Sequence, residues 1–134
     1  MFALNLRAPF FLCQAAARVM RERGGAIVNI ADLAAFETWR GYIPHSITKA
    51  GIVQMTRGLA HALAPKIRVN AIAPGAVLLP EGTTQDQAGK LISTTPLGRI
   101  GSPDDVAQAV VYLLSAEYVT GETIIVDGGR HVRY

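Results

Sequence analysis

The sequence has 134 residues, which is enough for one domain with its own core and too few for two. Its residues are 50% hydrophobic and 17% charged, yet no apolar run reaches the ~18 residues that a membrane span needs, so no membrane association is predicted. The net charge is +3 and the 13 basic residues are dispersed, which excludes nucleic acid as a predicted partner.

A single cysteine and one short basic run are the remaining compositional signals. Cys13 excludes an internal disulfide and is typical of a reducing compartment, so we expect a cytoplasmic protein. Cys13 also stands on the apolar stripe of a predicted helix, which favours a core thiol. The one locally basic segment, residues 130–133, is interpreted as a solvated tail.

The first predicted element is a helix, because apolar residues recur at spacings of four and three, namely Leu6, Phe10, Cys13, Ala17 and Met20. Gly24 and Gly25 end it. Pro9 falls inside this helix and has no N–H to donate to the carbonyl of Asn5, so that carbonyl needs another partner, such as water. The alternative is that Pro9 lies in the first turn and frees nothing unusual.

The central stretch places three ionisable side chains close together. Residues 26–31 form an apolar run that predicts a buried parallel strand, and Asp32 stands at its end, where open α/β sheets place ligands. A loop over residues 33–43 leads to a helix over about residues 44–64. On this helix His45 and Lys49 are four residues apart and share one face. A carboxylate, an imidazole and an ammonium therefore meet in one region, which indicates a proton-transfer site.

Several side chains of the loop and helix have two interpretations. Trp39 and Tyr42 are aromatic and could stack on a planar ligand or pack on the domain surface. Ser46 and Gly51 allow either a close approach to a cofactor or ordinary helix packing. The predicted core stripe of the helix consists of Ile52, Met55, Leu59, Ala62 and Leu63.

The rest of the chain alternates in the same way. Residues 67–72 predict a second strand, which runs into a turn at Pro74 and Gly75. Residues 80–95 predict a loop with one weak helix, placed where it would cover a substrate. Ser102 predicts a helix N-cap, with a buried stripe of Val106, Ala109, Val110, Leu113 and Leu114. Residues 123–126 predict the last strand, and Asp127-Gly128-Gly129 turns away from it.

Taken in order, these motifs resemble the C-terminal half of the short-chain dehydrogenase/reductase family. The resemblance is carried by Asn5, Asn29-Ile30-Ala31-Asp32, His45-x-x-x-Lys49, Pro74-Gly75, Gly98-Arg99 and Val126-Asp127-Gly128-Gly129. It implies an α/β fold, namely the C-terminal half of a Rossmann-type doubly wound parallel sheet with three strands and flanking helices. No Gly-rich dinucleotide fingerprint follows a strand in these 134 residues. Because the family carries that loop in its N-terminal half, we expect a fragment, a mis-assigned start or a shortened relative.

Two positions depart from the usual pattern of the family. Asp32 stands where a serine is usual, and His45 stands where a tyrosine is usual. The aspartate and the Gly41-Tyr42 pair resemble the pteridine-reductase branch, and so does the absence of the usual threonine after Gly75. A histidine at the tyrosine position is typical of no branch.

The function that the resemblance implies is hydride transfer from NADPH, with NADH as the alternative cofactor, to a C=O or C=N bond, with a pterin as a proposed substrate. It implies catalytic roles for Asn5, Asp32, His45 and Lys49. It implies cofactor contacts from Ile30, Lys49, Pro74, Gly75, Ala76 and Val77, and substrate contacts from Asp32, Tyr42 and Leu79. No residue is assigned to a metal.

The resemblance also implies a homo-oligomer, either a dimer or a tetramer, formed through the helices that contain residues 6–20 and 52–63. Two other interpretations remain open. The chain could be a catalytically impaired relative that acts as a binding or oligomerisation module, or it could be an ordinary carbonyl reductase with a different substrate.

Overall fold

The three apolar runs form the strands of one parallel sheet in the computed structural model, which describes residues 1–37 and 39–132. The strands are β1 (Gly25–Ile30), β2 (Ile67–Pro74) and β3 (Thr123–Val126), and β2 lies in the centre. β1 pairs with β2 from Gly25↔Ile67 to Ile30↔Ile72. β2 pairs with β3 from Ala71↔Thr123 to Pro74↔Val126. Within this part of the chain the predicted α/β fold with three strands is confirmed.

Four α-helices occur in the described ranges: α1 (Ala8–Met20), α2 (Ile43–Leu63), α3 (Gln85–Ser93) and α4 (Pro103–Ser115). Of these, α1, α2 and α4 pack on the sheet. Capping boxes start two of them, at Thr84 before α3 and at Ser102 before α4. The N-cap predicted at Ser102 and the weak helix predicted between residues 80 and 95 are therefore both confirmed.

Pro9 lies inside a continuous helical stretch, as predicted, because a π-helix (Ala3–Arg7) runs directly into α1. The N–H of Ala8 donates to the carbonyl of Ala3, five residues back. This wider turn lies immediately before the proline, which cannot make the usual bond to Asn5. The water expected on the Asn5 carbonyl stays a prediction.

The buried face of α2 is rotated by about one residue from the predicted stripe. The buried residues are Thr48, Ile52, Val53, Thr56 and Ala60, whereas Met55, Leu59 and Leu63 are half-buried and Ala62 is exposed. The prediction was wrong here because two threonines occupy core positions, and a hydrophobicity pattern counts threonine as polar. On α4, Leu113 is buried as predicted, but Leu114 is exposed.

The two faces of β2 receive different helices because side chains alternate along a strand. Val69 and Ala73 pack with buried residues of α2 on one face. On the other face, the guanidinium of Arg68 donates to the carbonyls of Leu113 and Leu114 at 2.8 Å each. These carbonyls belong to the last turn of α4, which lacks intrahelical donors. Arg68 therefore fixes the end of α4 to the sheet.

The predicted solvated tail is confirmed for His131 and Val132, which are exposed, and is wrong for Arg130. Arg130–Val132 is a 3₁₀ turn, and Arg130 is half-buried. The ring nitrogen Nδ1 of His131 lies 2.8 Å from Asp127 Oδ2. Arg133, the other basic residue of that prediction, lies outside the described residues.

Candidate active site

The carboxyl ends of the three parallel strands lie at one edge of the sheet, where ligands bind in open α/β folds. Asp32 follows β1, Gly75 follows β2 and Asp127 follows β3. The amino-terminal part of α2 reaches the same edge, because Lys49 contacts the end of β1. The predicted site residues of β1, β2 and α2 therefore border one region.

Lys49 is fixed at the end of β1 by two backbone carbonyls. Its Nζ donates to the carbonyl of Ala31 at 3.1 Å and to that of Ile30 at 3.3 Å. An ammonium has three N–H donors, so one remains for a ligand. Ile30, a predicted cofactor residue, thus takes part through its backbone, and its side chain is exposed.

Asp32 and His45 lie side by side after the end of β1 and at the start of α2. Asp32 Oδ1 accepts a hydrogen bond from the N–H of Ala34 at 2.8 Å, which holds the carboxylate as the cap of the 3₁₀ turn Leu33–Ala35. Asp32 Oδ2 lies 3.6 Å from His45 Nε2, and both side chains are partly exposed. This distance is too long for a hydrogen bond but makes an ion pair when the imidazole is protonated. Both groups are accessible to a substrate.

Asn5 joins the site through a buried threonine that sequence reasoning missed. Asn5 Nδ2 donates to Thr48 Oγ1 at 3.3 Å, and Thr48 Oγ1 donates to the carbonyl of His45 at 2.7 Å. Thr48 is completely buried. The only available signal was its position three residues after His45, where a helical threonine can bond to that carbonyl.

A second buried chain of polar groups runs behind the site. Cys13 Sγ donates to Asn29 Oδ1 at 3.3 Å, and Asn29 Nδ2 donates to Thr56 Oγ1 at 2.9 Å. Burial raises the pKa of the Cys13 thiol, and the hydrogen bond to Asn29 opposes that rise. Cys13 is therefore a protonated core thiol, as predicted.

The turn after β2 is closely packed against the end of β3. The N–H of Gly75 donates to the carbonyl of Val126 at 2.9 Å, and a Cβ on Gly75 would lie 2.6 Å from the Cβ of Asp127. Glycine is needed here for internal packing. Ala76 and Val77, both predicted cofactor residues, border a cavity of about 100 Å³ next to this turn.

The cavity beside Ala76 and Val77 is closed on one side by an ion pair. Arg99 donates from both terminal nitrogens to Asp105, at 2.8 and 2.9 Å. Hydrogen bonds from Arg99, and then from Ser102, hold the pKa of the Asp105 carboxyl well below its usual range. Asp105 is thus a structural carboxylate that also caps α4.

The three predicted substrate residues are only partly brought together. Tyr42 immediately precedes α2, and its ring is exposed and stands edge-on to Trp39 at 6.2 Å. Trp39 Nε1 donates to Glu37, so Trp39 packs on the surface loop. Leu79 instead lines a separate cleft beside α3.

Gly51 serves helix packing. A Cβ on Gly51 would lie 2.9 Å from Leu6 Cδ1, so its small size lets α2 approach the π-helix. The hydroxyl of Ser46 is buried and without a hydrogen-bond partner among the described residues.

Among residues 1–37 and 39–132, no cluster of three potential metal ligands occurs. In the same ranges, each helix is too short or too polar to cross a membrane.

The family is established by sequence comparison. The profile described as "Enoyl-(Acyl carrier protein) reductase" matches residues 1–131. The chain therefore belongs to the short-chain dehydrogenase/reductase family of oxidoreductases.

Individual relatives have diverse names. "Carbonyl reductase family member 4" of Danio rerio is 41% identical over 128 residues, which cover 93% of this chain and 53% of the relative. "L-rhamnose 1-dehydrogenase (NAD(P)(+))" of Azotobacter vinelandii is 39% identical over 137 residues, covering 96% and 54%. The structure of a gluconate 5-dehydrogenase from Burkholderia cenocepacia, in complex with NADP and tartrate, superposes with a TM-score of 0.94 at 30% identity and covers 100% of this chain and 56% of the other. The chain thus spans about half the length of the relatives it matches.

Proposed function

We propose that this chain supplies the proton-transfer side of an NADPH-dependent reductase that acts on a C=O or C=N bond. The observation that carries the proposal is the convergence of Lys49, Asp32 and His45 at the end of β1. Family membership makes oxidoreductase chemistry the expected class. We also propose that this chain corresponds to the C-terminal part of the family domain.

The residues fit a nicotinamide cofactor at its ribose end. Lys49 Nζ keeps one N–H free after its bonds to Ile30 and Ala31, and this N–H would hold a ribose hydroxyl. Pro74 and Gly75, with Ala76 and Val77, would border the nicotinamide. The bound cofactor supplies the hydride, and the chain supplies the positive charge and the proton.

His45 is the proposed proton donor to the substrate. Its Nε2 faces Asp32 Oδ2 at 3.6 Å, so the carboxylate pairs with the ring when the imidazole carries the proton. Asn5 acts behind it through Thr48, which holds the His45 turn of α2. Asn5 and Thr48 are therefore positioning residues in this structure.

A pterin is the proposed substrate class, and Asp32 supports it. One carboxylate oxygen is fixed by Ala34, while the other faces the open site and can accept from the N–H groups of a pterin ring. Tyr42 would stack on the ring from the end of the loop. We further propose a cytoplasmic homo-oligomer, a dimer or a tetramer, and the exposed apolar side chains of α1 support this.

The test is a comparison of three proteins, each prepared as the natural gene product that contains this sequence. The original protein, His45→Phe and His45→Tyr are assayed with NADPH and dihydrobiopterin over about pH 5 to 9. Because neutral imidazole is a poor donor, the original rate should fall as pH rises through the imidazole titration. His45→Phe should lose turnover by about 10²-fold or more, and His45→Tyr should extend activity to higher pH.

Equal rates for the original protein and His45→Phe would remove His45 from the mechanism. His61→Phe is the matched control, because it removes an exposed histidine from the last turn of the same helix. The pH profile of this variant should keep its shape.

The second candidate is a catalytically impaired relative that acts as a binding or oligomerisation module. The observation that favours it is His45 at the position where the family usually has a tyrosine. This candidate predicts background rates in the original protein with pterins and with simple ketones alike. Turnover of a ketone alone would instead favour an ordinary carbonyl reductase.

A further inference from the structure

A cleft with both apolar and charged side chains in its lining lies beside α3, apart from the pair of Asp32 and His45. It has a volume of about 750 Å³. Residues of the preceding loop, of α3 and of the turn after β3 line it, among them Leu79, Glu81, Thr83, Gln87, Lys90 and Arg130. Leu79 lies only two residues after Val77, so the cleft begins where the proposed nicotinamide turn ends.

Arg130 is the unusual group of this cleft. Its Nε is buried and has no hydrogen-bond partner among the described residues. Within the same ranges its guanidinium makes no ion pair with a carboxylate. A buried donor without a partner costs free energy, and native proteins usually satisfy such groups with protein, water or an ion.

The backbone of Arg130 is fixed by the turn after β3, and its side chain is one of those that line the cleft. Asp127, itself held by Gly129 and His131, organises the turn after β3. A Cβ on Gly129 would lie 3.3 Å from the ring of Pro96, which shows how closely the turn packs on the chain after α3. Arg130 begins the 3₁₀ turn that follows.

Two neutral polar side chains of the cleft already make a hydrogen bond within the protein. The hydroxyl of Thr83 donates to the carbonyl of Pro80 at 2.7 Å. The side chain of Gln87 accepts from the N–H of Thr84 at 2.9 Å in the capping box of α3. The charged groups Lys90, Arg130 and Glu81 are left, and among the described residues they form no ion pair with one another. Two cations against one carboxylate leave a net positive cleft.

We propose that this cleft binds the carboxylate or phosphate group of a small molecule, with Arg130 as the main contact and Lys90 as the second cation. A guanidinium offers a fork of N–H donors that matches both anions. The place of the cleft next to the nicotinamide turn makes the molecule the substrate, and only this last step rests on the proposed function. The substrate would then be a pterin with an anionic group at the end remote from the reacting bond, and dihydrobiopterin, which lacks that group, would leave the cleft empty.

The test measures binding of succinate and of methyl phosphate to the full chain by ligand-observed NMR, without cofactor. Arg130→Gln should weaken binding by about tenfold or more, because a charge-assisted hydrogen bond is lost. Lys90→Gln should weaken it less. Glu81→Gln should tighten it, because the opposing charge is removed. Arg130→Lys should restore part of the affinity, since it keeps the charge but not the fork.

Two controls separate a built site from general attraction to a basic protein. Arg57→Gln removes an exposed arginine of α2 away from the cleft and should leave binding unchanged. Succinamide, the neutral analogue of succinate, should not bind. Unchanged binding in Arg130→Gln, or equal loss in Arg57→Gln, would overturn the proposal.

The two anions also decide the chemical class of the ligand, since tighter binding of one of them assigns the site to a carboxylate or to a phosphate. His45→Phe should bind both as the original protein does. The cleft can therefore be established even when turnover of pterins is absent, and it can fail while turnover is present.

Discussion

The side chain of Asp127 is almost completely buried, with only 2% of it exposed. Burial alone would raise the pKa of this carboxyl. Hydrogen bonds from the ring and the N–H of His131 and from the N–H of Gly129 outweigh burial and hold the pKa below its ordinary value. The ionised form is therefore part of the folded state.

Replacement of Asp127 with asparagine should reduce the acid sensitivity of the protein. A carboxyl whose folded pKa is lowered stabilises the fold above its unfolded pKa of about 3.9, and that contribution is lost as pH falls through the folded value. We expect Asp127→Asn to be destabilised at pH 7 by about 1–3 kcal/mol. We also expect its free energy of unfolding to fall less than that of the original protein as pH drops below about 4.

Urea unfolding at a series of pH values measures this difference. Glu117→Gln, at an exposed position after α4, is the control. Its free energy of unfolding should fall at acid pH as that of the original protein does. If the free energy of unfolding of Asp127→Asn falls in parallel with that of the original protein at acid pH, the role assigned to the Asp127 carboxylate is contradicted.

At the residue scale, the sequence predicted the site residues whose proximity follows from backbone geometry alone. Asp32 comes at a strand end, and the spacing of His45 and Lys49 puts them on one helix face. Thr48 and Arg130 were missed because their importance depends on tertiary partners or on the lack of them. A threonine in a helix, or an arginine near a chain end, carries no such information by itself.

The junction between β2 and β3 is the element contact that leaves least room. A methyl group on Gly75 would lie 2.6 Å from the Cβ of Asp127 and 3.0 Å from its Cα. Gly75→Ala should therefore push the two strand ends apart and destabilise the protein by about 1–3 kcal/mol. Chemical denaturation measures the change.

The matched glycine is Gly58, inside α2. A Cβ there meets nothing within 4 Å, and the residue is helical. Gly58→Ala should stabilise the protein by up to about 1 kcal/mol, because alanine is the better helix former. Equal effects of the two substitutions would contradict the packing assigned to Gly75.

At the element scale, helices and strands were predicted well because hydrophobic period, caps and prolines are local signals. The predicted helix over about residues 44–64 is observed as Ile43–Leu63, and the last strand is observed at Thr123–Val126 as predicted. The buried face of α2 was not predicted well. Thr48 and Thr56 belong to its core only because Asn5 and Asn29 bond to them.

The whole molecule has an exposed apolar surface on the π-helix and α1, formed by Phe2, Leu4, Phe11, Leu12 and Val19. β1 also lies at an edge of the sheet among the described strands. Both features favour association. We expect the 134-residue chain to sediment as a dimer or larger species at micromolar concentration in analytical ultracentrifugation.

A pair of variants locates the contact. Leu12→Lys should shift the protein toward smaller species, because it places a charge on the α1 surface. Val111→Lys changes an exposed valine of α4 and should leave the distribution as it was. A compact monomer for the original chain would contradict the expected association.

Cofactor affinity is also a property of the whole molecule. The two adjacent glycines, Gly24 and Gly25, lie immediately before β1 and at its first residue, so they cannot form a phosphate loop between a strand and a helix. In the proposed function, Lys49 and the turn at Gly75 hold only the nicotinamide end. For the 134-residue polypeptide we expect no NADPH binding by calorimetry below about millimolar concentration, because the helix terminus that holds pyrophosphate is missing from these residues. Micromolar binding would show that the chain holds the pyrophosphate elsewhere.

Arg68 couples local unfolding of the central strand, β2, to that of the C-terminal end of α4. Its guanidinium extends from β2 and donates to the carbonyls of Leu113, Leu114 and Val119. Separation of α4 from the sheet would therefore leave a charged group and three acceptors without partners. Amides of β2 and those of the last turn of α4 should therefore exchange with solvent deuterium at one shared, slow rate. α3, which has no buried residue, should exchange earlier and independently. The cleft beside α3, where the anion is proposed to bind, thus lies on the part of the molecule that opens most readily. β2 and the end of α4, which support it, open slowly.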